Sequence, residues 1–340
     1  MQLTITMRNK LETLKNAFFI EGGGTRGIYA LGVIEYLFMK NPYFQFSDTK
    51  IFGGTSVGSY VAAALSLGFD ISNIKLFTNE IDISNLIESY YKFPLIMYRF
   101  CKYGYLFNDN IRQKIVRQIL EIKLDQIRSD LNMPNLKAIE LTFGNLKTLI
   151  KSKPNTYKHL IMNSVDLSIN RQIFFSTLDS NADEISLYDG LLASSAIPFV
   201  FQSTKLYRYP DGKYGYHKTL NATLDNMVDG GLSMNNTFNY VLLHPDIFTG
   251  YTFWYLKFTN DISYTPTEGI ISEIKQIINF LLDSYSDINM DMIYDKYFVN
   301  IMNLHLSVGG LTIYNREQIT NIVTSIFNEC VNYTYKFTNK

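Results

Sequence analysis

Residues 51–65 read IFGGTSVGSYVAAAL, and three local signals meet inside them. Ile51 and Phe52, after Lys50, are an apolar start that predicts a strand over 50–53. Val61, Ala62, Ala63, Ala64 and Leu65 predict a small-residue helix over 57–67 that can pack close to a sheet. Between the two, Gly54-Thr55-Ser56-Val57-Gly58 is a G-x-S-x-G in a strand–turn–helix setting, which is the setting of a nucleophile elbow. Such a turn presents the Ser56 hydroxyl, and Gly54 and Gly58 let neighbouring elements come near it.

The preceding unit repeats the arrangement. NAFFIEGGGTRG (16–27) opens with an apolar run that predicts a buried strand over 16–21. Ile28, Ala30, Leu31, Val33, Ile34, Leu37 and Phe38 then recur at helical spacing, predicting a helix over 28–39. Gly22, Gly23 and Gly24 therefore fall in a strand-to-helix turn, where bare N–H groups and the helix dipole favour a negative ligand. That ligand is either a phosphate or a transient oxyanion. Gly22, Gly24 and Gly27 do fit G-x-G-x-x-G, a dinucleotide fingerprint. A dinucleotide fold also needs an acid ending the second strand, and here Asp48 precedes the apolar KIFGG while the serine turn follows it. A serine attacking an ester creates an oxyanion that needs N–H donors, so glycine and serine turns on consecutive strand ends belong together. Arg26 either adds fixed positive charge at the helix start or pairs with a carboxylate such as Glu35.

Further along, helices are predicted around 71–79 and 109–121. AIELTFGNL (138–146) alternates like a strand, and 158–177 reads as two strands about an Asn-Arg turn. YRYPDGKYGYHK (207–218) reads as a hairpin, and YTFWYLKF (251–258) as another strand. The C-terminal part reads as helical, with one stripe of Ile270, Ile274, Ile277 and Leu281 and another of Ile319, Ile322, Ile326 and Cys330. Strands alternating with helices predict an α/β sheet covered on both faces. No linker or repeat divides the chain, so the expectation is an N-terminal extension over 1–15 and one domain over 16–340.

Composition narrows the class. The 340 residues are 46% hydrophobic and 18% charged, with a formal net charge of zero. Such a chain builds a large core, and its balance of charge favours neither nucleic acid nor an acidic surface. Two cysteines, Cys101 and Cys330, exclude a disulfide framework and any C-x-x-C metal site. No signal peptide and no membrane span is read, so a cytoplasmic protein is expected.

A serine nucleophile needs a base. The four histidines are His159, His217, His244 and His305, and none stands in a recognisable catalytic context. Asp229 followed by His244 would give a Ser–His–Asp triad in the chain order of α/β-hydrolases. The stronger candidate is MVDGGLSMNN (227–236), where Asp229 follows an apolar pair and precedes Gly230-Gly231, glycines that let its carboxylate reach a neighbouring turn. Upstream, LLASSAIPFVF (191–201) is a small-residue helix end broken by Pro198.

These four pieces, in this order, resemble the patatin-like phospholipase family. The family's G-G-G-x-R-G loop stands here as Gly22 to Gly27, its elbow as Gly54 to Gly58, its A-S-x-A-x-P segment as Ala193 to Pro198, and its D-G-G as Asp229 to Gly231. The likeness spans roughly 17–236. It implies a mixed, mostly parallel sheet in a three-layer α/β sandwich, and a lipid acyl hydrolase of the phospholipase A type. It further implies a Ser56–Asp229 dyad, an oxyanion hole at Gly22, Gly23 and Gly24, supporting roles for Arg26, Gly54, Gly58 and Gly230, and neither metal nor cofactor. One departure is that Asn235-Asn236-Thr237 stands where the family often has Asn-x-Pro, which is expected to loosen the loop near Asp229. The class to be weighed against the enzyme is a lipid- or nucleotide-binding module without turnover.

Residues 90–107 carry eight aromatics with Lys92, Arg99 and Lys102 and no acid. That composition suits either peripheral contact with a membrane that holds the phospholipid or other glycerolipid substrate, or an internal lid.

Overall fold

The computed structural model describes residues 2–7, 15–40, 44–86, 92–260, 269, 272–273, 276, 290–308, 312–332 and 336–337. Eleven strands form one sheet: β1 (Gln2–Met7), β2 (Lys15–Ile20), β3 (Thr49–Thr55), β4 (His159–Asp166), β5 (Arg171–Ser176), β6 (Thr204–Arg208), β7 (Tyr214–Gly215), β8 (Thr223–Asp229), β9 (Tyr251–Asn260), β10 (Phe298–Leu306) and β11 (Lys336–Phe337). The order is β11-β1-β10-β9-β2-β3-β4-β8-β6-β7, with β5 also paired to β4. The centre, from β10 to β4, is parallel, and antiparallel pairs such as β1–β10, β4–β8 and β6–β8 extend it on both sides.

Both faces of the centre are buried, which is why β2 reads as continuous apolar sequence. Phe18 and Ile20 enter one core cluster, and Ala17 and Phe19 enter another. The first core is roofed by α1 (Gly27–Met39), α2 (Val57–Ser66), α3 (Ile71–Glu80) and helices of the middle of the chain. Those are α5 (Asn110–Ile122), α6 (Leu124–Leu131), α7 (Phe143–Ser152) and α8 (Leu187–Ser194), while α4 (Phe93–Tyr103) precedes them in the chain. The second is covered by α9 (Phe238–Leu243) and α10 (Met290–Lys296), through Phe238, Tyr240, Val241 and Ile293. The last helix, α11 (Arg316–Asn332), returns Ile319, Val323, Ile326 and Cys330 to the first core beside α1. A mixed sheet between two helical layers is the α/β sandwich that the sequence led us to expect.

Several readings from sequence differ from the structure or fall outside it. Residues 138–146 are not a strand: Ala138–Glu140 is a 3-10 turn and α7 begins at Phe143. Thr142 caps that helix by accepting the Asn145 N–H at 3.1 Å, and Phe143, Leu146, Leu149 and Ile150 bury one helical stripe. The alternation was too short to outweigh cap and stripe. The C-terminal part is not wholly helical either, because β10 alternates with Val299, Met302, Leu304 and Leu306 buried. The stripe of Ile270, Ile274, Ile277 and Leu281 lies outside the described residues. Gln2–Met7, ahead of the expected domain, is a strand paired with β10.

Candidate active site

Strand register assembles the site. Ile20 lies opposite Gly54, Thr55 opposite Asn163, and Ser164 opposite Asp229. The C-terminal ends of β2, β3 and β8 therefore share one row with Asn163 and Ser164 of β4, and the glycine loop, the serine turn and the Asp229 turn all leave from it.

Ser56 is the N-cap of α2, with φ +53 and ψ −129, a conformation rare for any residue but glycine. Its N–H donates to Ser194 Oγ at 3.0 Å, and its carbonyl accepts the Ser59 N–H at 3.0 Å. The turn is tight enough to exclude side chains beside it. A Cβ on Gly54 would lie 2.2 Å from Gly58 O, and one on Gly58 would lie 2.4 Å from Ile20 O.

The Ser56 hydroxyl donates to Asp229 Oδ2 at 2.6 Å. The other carboxylate oxygen, Oδ1, accepts the Gly231 N–H at 2.7 Å, and the Asp229 N–H donates to Ala196 O at 2.9 Å. Asp229 is completely buried, and burial raises its pKa to about 6 against the Ser56 hydroxyl, the Gly231 N–H and the Arg112 charge, which all hold it down. Asn163 fixes the spacing of the two turns. It accepts the Thr55 hydroxyl at 2.7 Å and donates Nδ2 to Met234 O at 3.0 Å and to Gly230 O at 3.3 Å.

The three glycines differ in what their N–H groups do. Gly22 N–H donates to Asn235 O at 3.1 Å, and Asn235 Nδ2 donates back to Gly22 O at 2.9 Å. That engages both backbone groups of Gly22 with Asn235, and among the described residues no such bond is seen for the Gly23 or Gly24 N–H. Gly24, at φ +56, lines the same cavity as Ser56. Arg26 is buried and donates Nε to Gly23 O at 3.1 Å, while Glu35 pairs with Lys75 at 3.3 Å. Glu21, just before the loop, accepts the Phe258 N–H at 2.7 Å. Burial raises its pKa to about 7, opposed by that N–H, Lys257 and Arg26.

The cavity at Ser56 is apolar. Ile28, Leu31, Ile74, Phe77, Ile115 and Ile119 line it, with Thr25, Tyr60, Arg112 and Ser195 as polar residues beside Ser56. Arg112 spends its guanidinium on the protein. It pairs with Asp109, donates Nη1 to Leu192 O at 2.8 Å and Ser195 Oγ at 3.2 Å, and donates Nη2 to Gln202 O at 3.2 Å.

Among the described residues no histidine is bonded to Ser56 or Asp229. His159 Nδ1 meets Thr177 Oγ1 at 3.1 Å, the His244 ring lies against Tyr240, the His217 ring lies against Tyr216, and His305 is within β10. The Asn235-Asn236-Thr237 segment, where a looser loop near Asp229 was expected, is buried: Asn236 accepts the Phe238 N–H at 3.0 Å, and Asn235 is bonded to Gly22. Asn163 and Arg112 were not singled out from sequence, and Ser194 and Asn235 were named only as parts of longer segments. The one local hint was a polar Asn163-Ser164 pair inside the apolar strand LIMNSV.

A family model described as patatin-like phospholipase matches residues 18–242. Uncharacterized protein L620 of Acanthamoeba polyphaga mimivirus is 42% identical over 335 residues, covering 96% of this chain and 90% of its own. Uncharacterized protein R571 of the same virus is 27% identical over 233 residues, covering 64% and 75%. Among solved structures, VipD from Legionella pneumophila is 16% identical, covers 97% of this chain and 69% of its own, and aligns with a TM-score of 0.48.

Proposed function

The chain belongs to the patatin-like phospholipase family, and from that premise we propose that it hydrolyses carboxylic esters of membrane glycerolipids as a phospholipase A-type serine acyl hydrolase. The observation that carries this reading is the 2.6 Å bond from the strained Ser56, which lines an apolar cavity, to the buried Asp229. Asp229 Oδ2 takes the hydroxyl proton as Ser56 Oγ attacks the ester carbonyl. The oxyanion is held by the N–H groups of Gly23 and Gly24. Collapse of this intermediate expels the alcohol oxygen, which receives the proton from Asp229. Water then attacks the acyl-enzyme, with Asp229 again as base, and frees the fatty acid. The apolar cavity holds the acyl chain.

Two measurements bear on this reading. A base with its pKa near 6 is protonated, and so idle, below that pH. We expect kcat/KM to fall as pH drops through about 6, well above the ordinary aspartate range. Glu21→Gln should leave that limb in place; loss of the limb with Glu21→Gln would assign it to Glu21. Ala64 lines the cavity from α2. A phenyl ring there removes space for a long chain, so Ala64→Phe should lower kcat/KM for a long-chain ester about tenfold relative to a short-chain one. Equal losses on both would place the acyl chain elsewhere.

A further inference from the structure

The turn after α8 joins two unfavourable features. Val200 N–H closes it onto Ile197 O at 3.1 Å, Pro198 takes its second position, and Phe199 takes the third with φ +65. That position calls for glycine or asparagine, because a side chain in the left-handed region crowds its own backbone. Yet the residue is phenylalanine, and it is 54% exposed. The strain is maintained from outside the turn. Leu106 N–H donates to Phe199 O at 2.8 Å, and Phe107 N–H donates to Val200 O at 2.9 Å. The neighbours Ile197 and Phe201 line the Ser56 cavity.

The same two bonds tie the turn to the segment leaving α4. On that helix Phe93, Leu95, Tyr98 and Tyr103 are exposed and Ile96 alone is buried. Lys102 Nζ sits 5.2 and 5.1 Å from the Tyr98 and Tyr103 ring centres, and Lys92 is exposed at the helix start. From 92 to 107 the chain holds three cations and no acid. Cations among aromatic rings suit the boundary between lipid headgroups and acyl chains.

We propose that Phe199 and the exposed face of α4 form one docking surface for an anionic phospholipid bilayer, with the Phe199 ring entering the acyl region beside the cavity of Ser56. The proposal rests on the lipid hydrolase reading for the purpose of the contact. An exposed ring held in a strained turn gains only when it leaves water, and a bilayer offers that without a fixed complementary shape. Lys92 and Lys102, exposed at the two ends of α4, set the preference for anionic headgroups.

The test uses the full chain carrying Ser56→Ala, so that vesicles stay intact. Partition is measured on phosphatidylcholine vesicles with and without phosphatidylglycerol. We expect tighter binding to the mixed vesicles, weakened by salt. Adding Phe199→Gly should lower that partition about tenfold, the loss of one buried aromatic side chain. It should also leave Tm equal or higher, because glycine accepts the positive φ. With Ser56 restored, Phe199→Gly should keep kcat on a soluble ester and lose turnover on vesicles. Lower Tm with unchanged partition would make Phe199 a packing residue and overturn the proposal. So would a concentration-dependent dimer, seen by sedimentation, that Phe199→Gly abolishes. If vesicle binding behaves as expected while no protein carrying Ser56 hydrolyses any ester, the hydrolase reading fails and the docking surface stands.

Discussion

Ser56→Ala and Asp229→Asn each lower kcat on a soluble short-chain ester by roughly 10⁴–10⁶-fold, with the fold retained. The size follows from the geometry. Asp229 Oδ2 is the group bonded to the Ser56 hydroxyl, so each substitution removes one of the two groups assigned to the reaction. Asparagine keeps the shape of Asp229, and its carbonyl can still accept the Gly231 N–H, but it cannot take a proton. Stability supplies the control. The pKa of Asp229 is higher folded than unfolded, so its contribution to stability is fully present below about pH 4 and is lost as pH rises through about 6. At pH 8 the folded protein carries a buried charge, and Asp229→Asn should leave Tm equal or higher. Appreciable turnover by a folded Asp229→Asn protein would remove the dyad. An inactive His244→Ala protein would point to a triad instead.

Gly23→Val lowers kcat by about 10²–10³-fold, or roughly 3–4 kcal/mol of transition-state stabilisation, with little change in KM. Gly23 is extended at φ −171, so the obstacle is space. A Cβ there would lie 2.9 Å from the Phe258 ring and 3.3 Å from Arg26 side-chain atoms. Phe258 is in turn fixed by the bond from its N–H to Glu21. The loop must therefore shift, and the Gly23 and Gly24 N–H groups turn from the proposed oxyanion position. These donors act on charge that develops only in the transition state, which is why kcat should carry the loss. A phosphate-binding loop would show weakened nucleotide affinity and unchanged esterase activity. Unchanged kcat in a folded Gly23→Val protein would mean that the glycines serve the turn alone.

What could be read from sequence was what short range encodes. The β2 and β3 strands, the glycine and serine turns, and the Asp-Gly-Gly turn each carry their signal within about a dozen residues. Their meeting depends on register, in which Asn163 stands opposite Thr55 and Ser164 opposite Asp229, and no local spacing records that. Asn163 looks like any polar residue in a strand until it is seen holding both turns. Gly22 shows the converse. It shares the motif of Gly23 and Gly24, yet a residue 213 positions away takes its carbonyl, and the same residue's backbone takes its N–H. Residues 138–146 failed for a different reason: an N-cap and a buried helical stripe outweighed a few alternating positions.

The most direct test of Ser56 as nucleophile is covalent. The intact chain is treated with a fluorophosphonate, and the adduct is located by peptide mass mapping. A single adduct on Ser56, absent from the Ser56→Ala protein and strongly reduced in Asp229→Asn, is the predicted result. A folded protein that takes no label, or takes it at another residue while Ser56 stays free, would contradict the account.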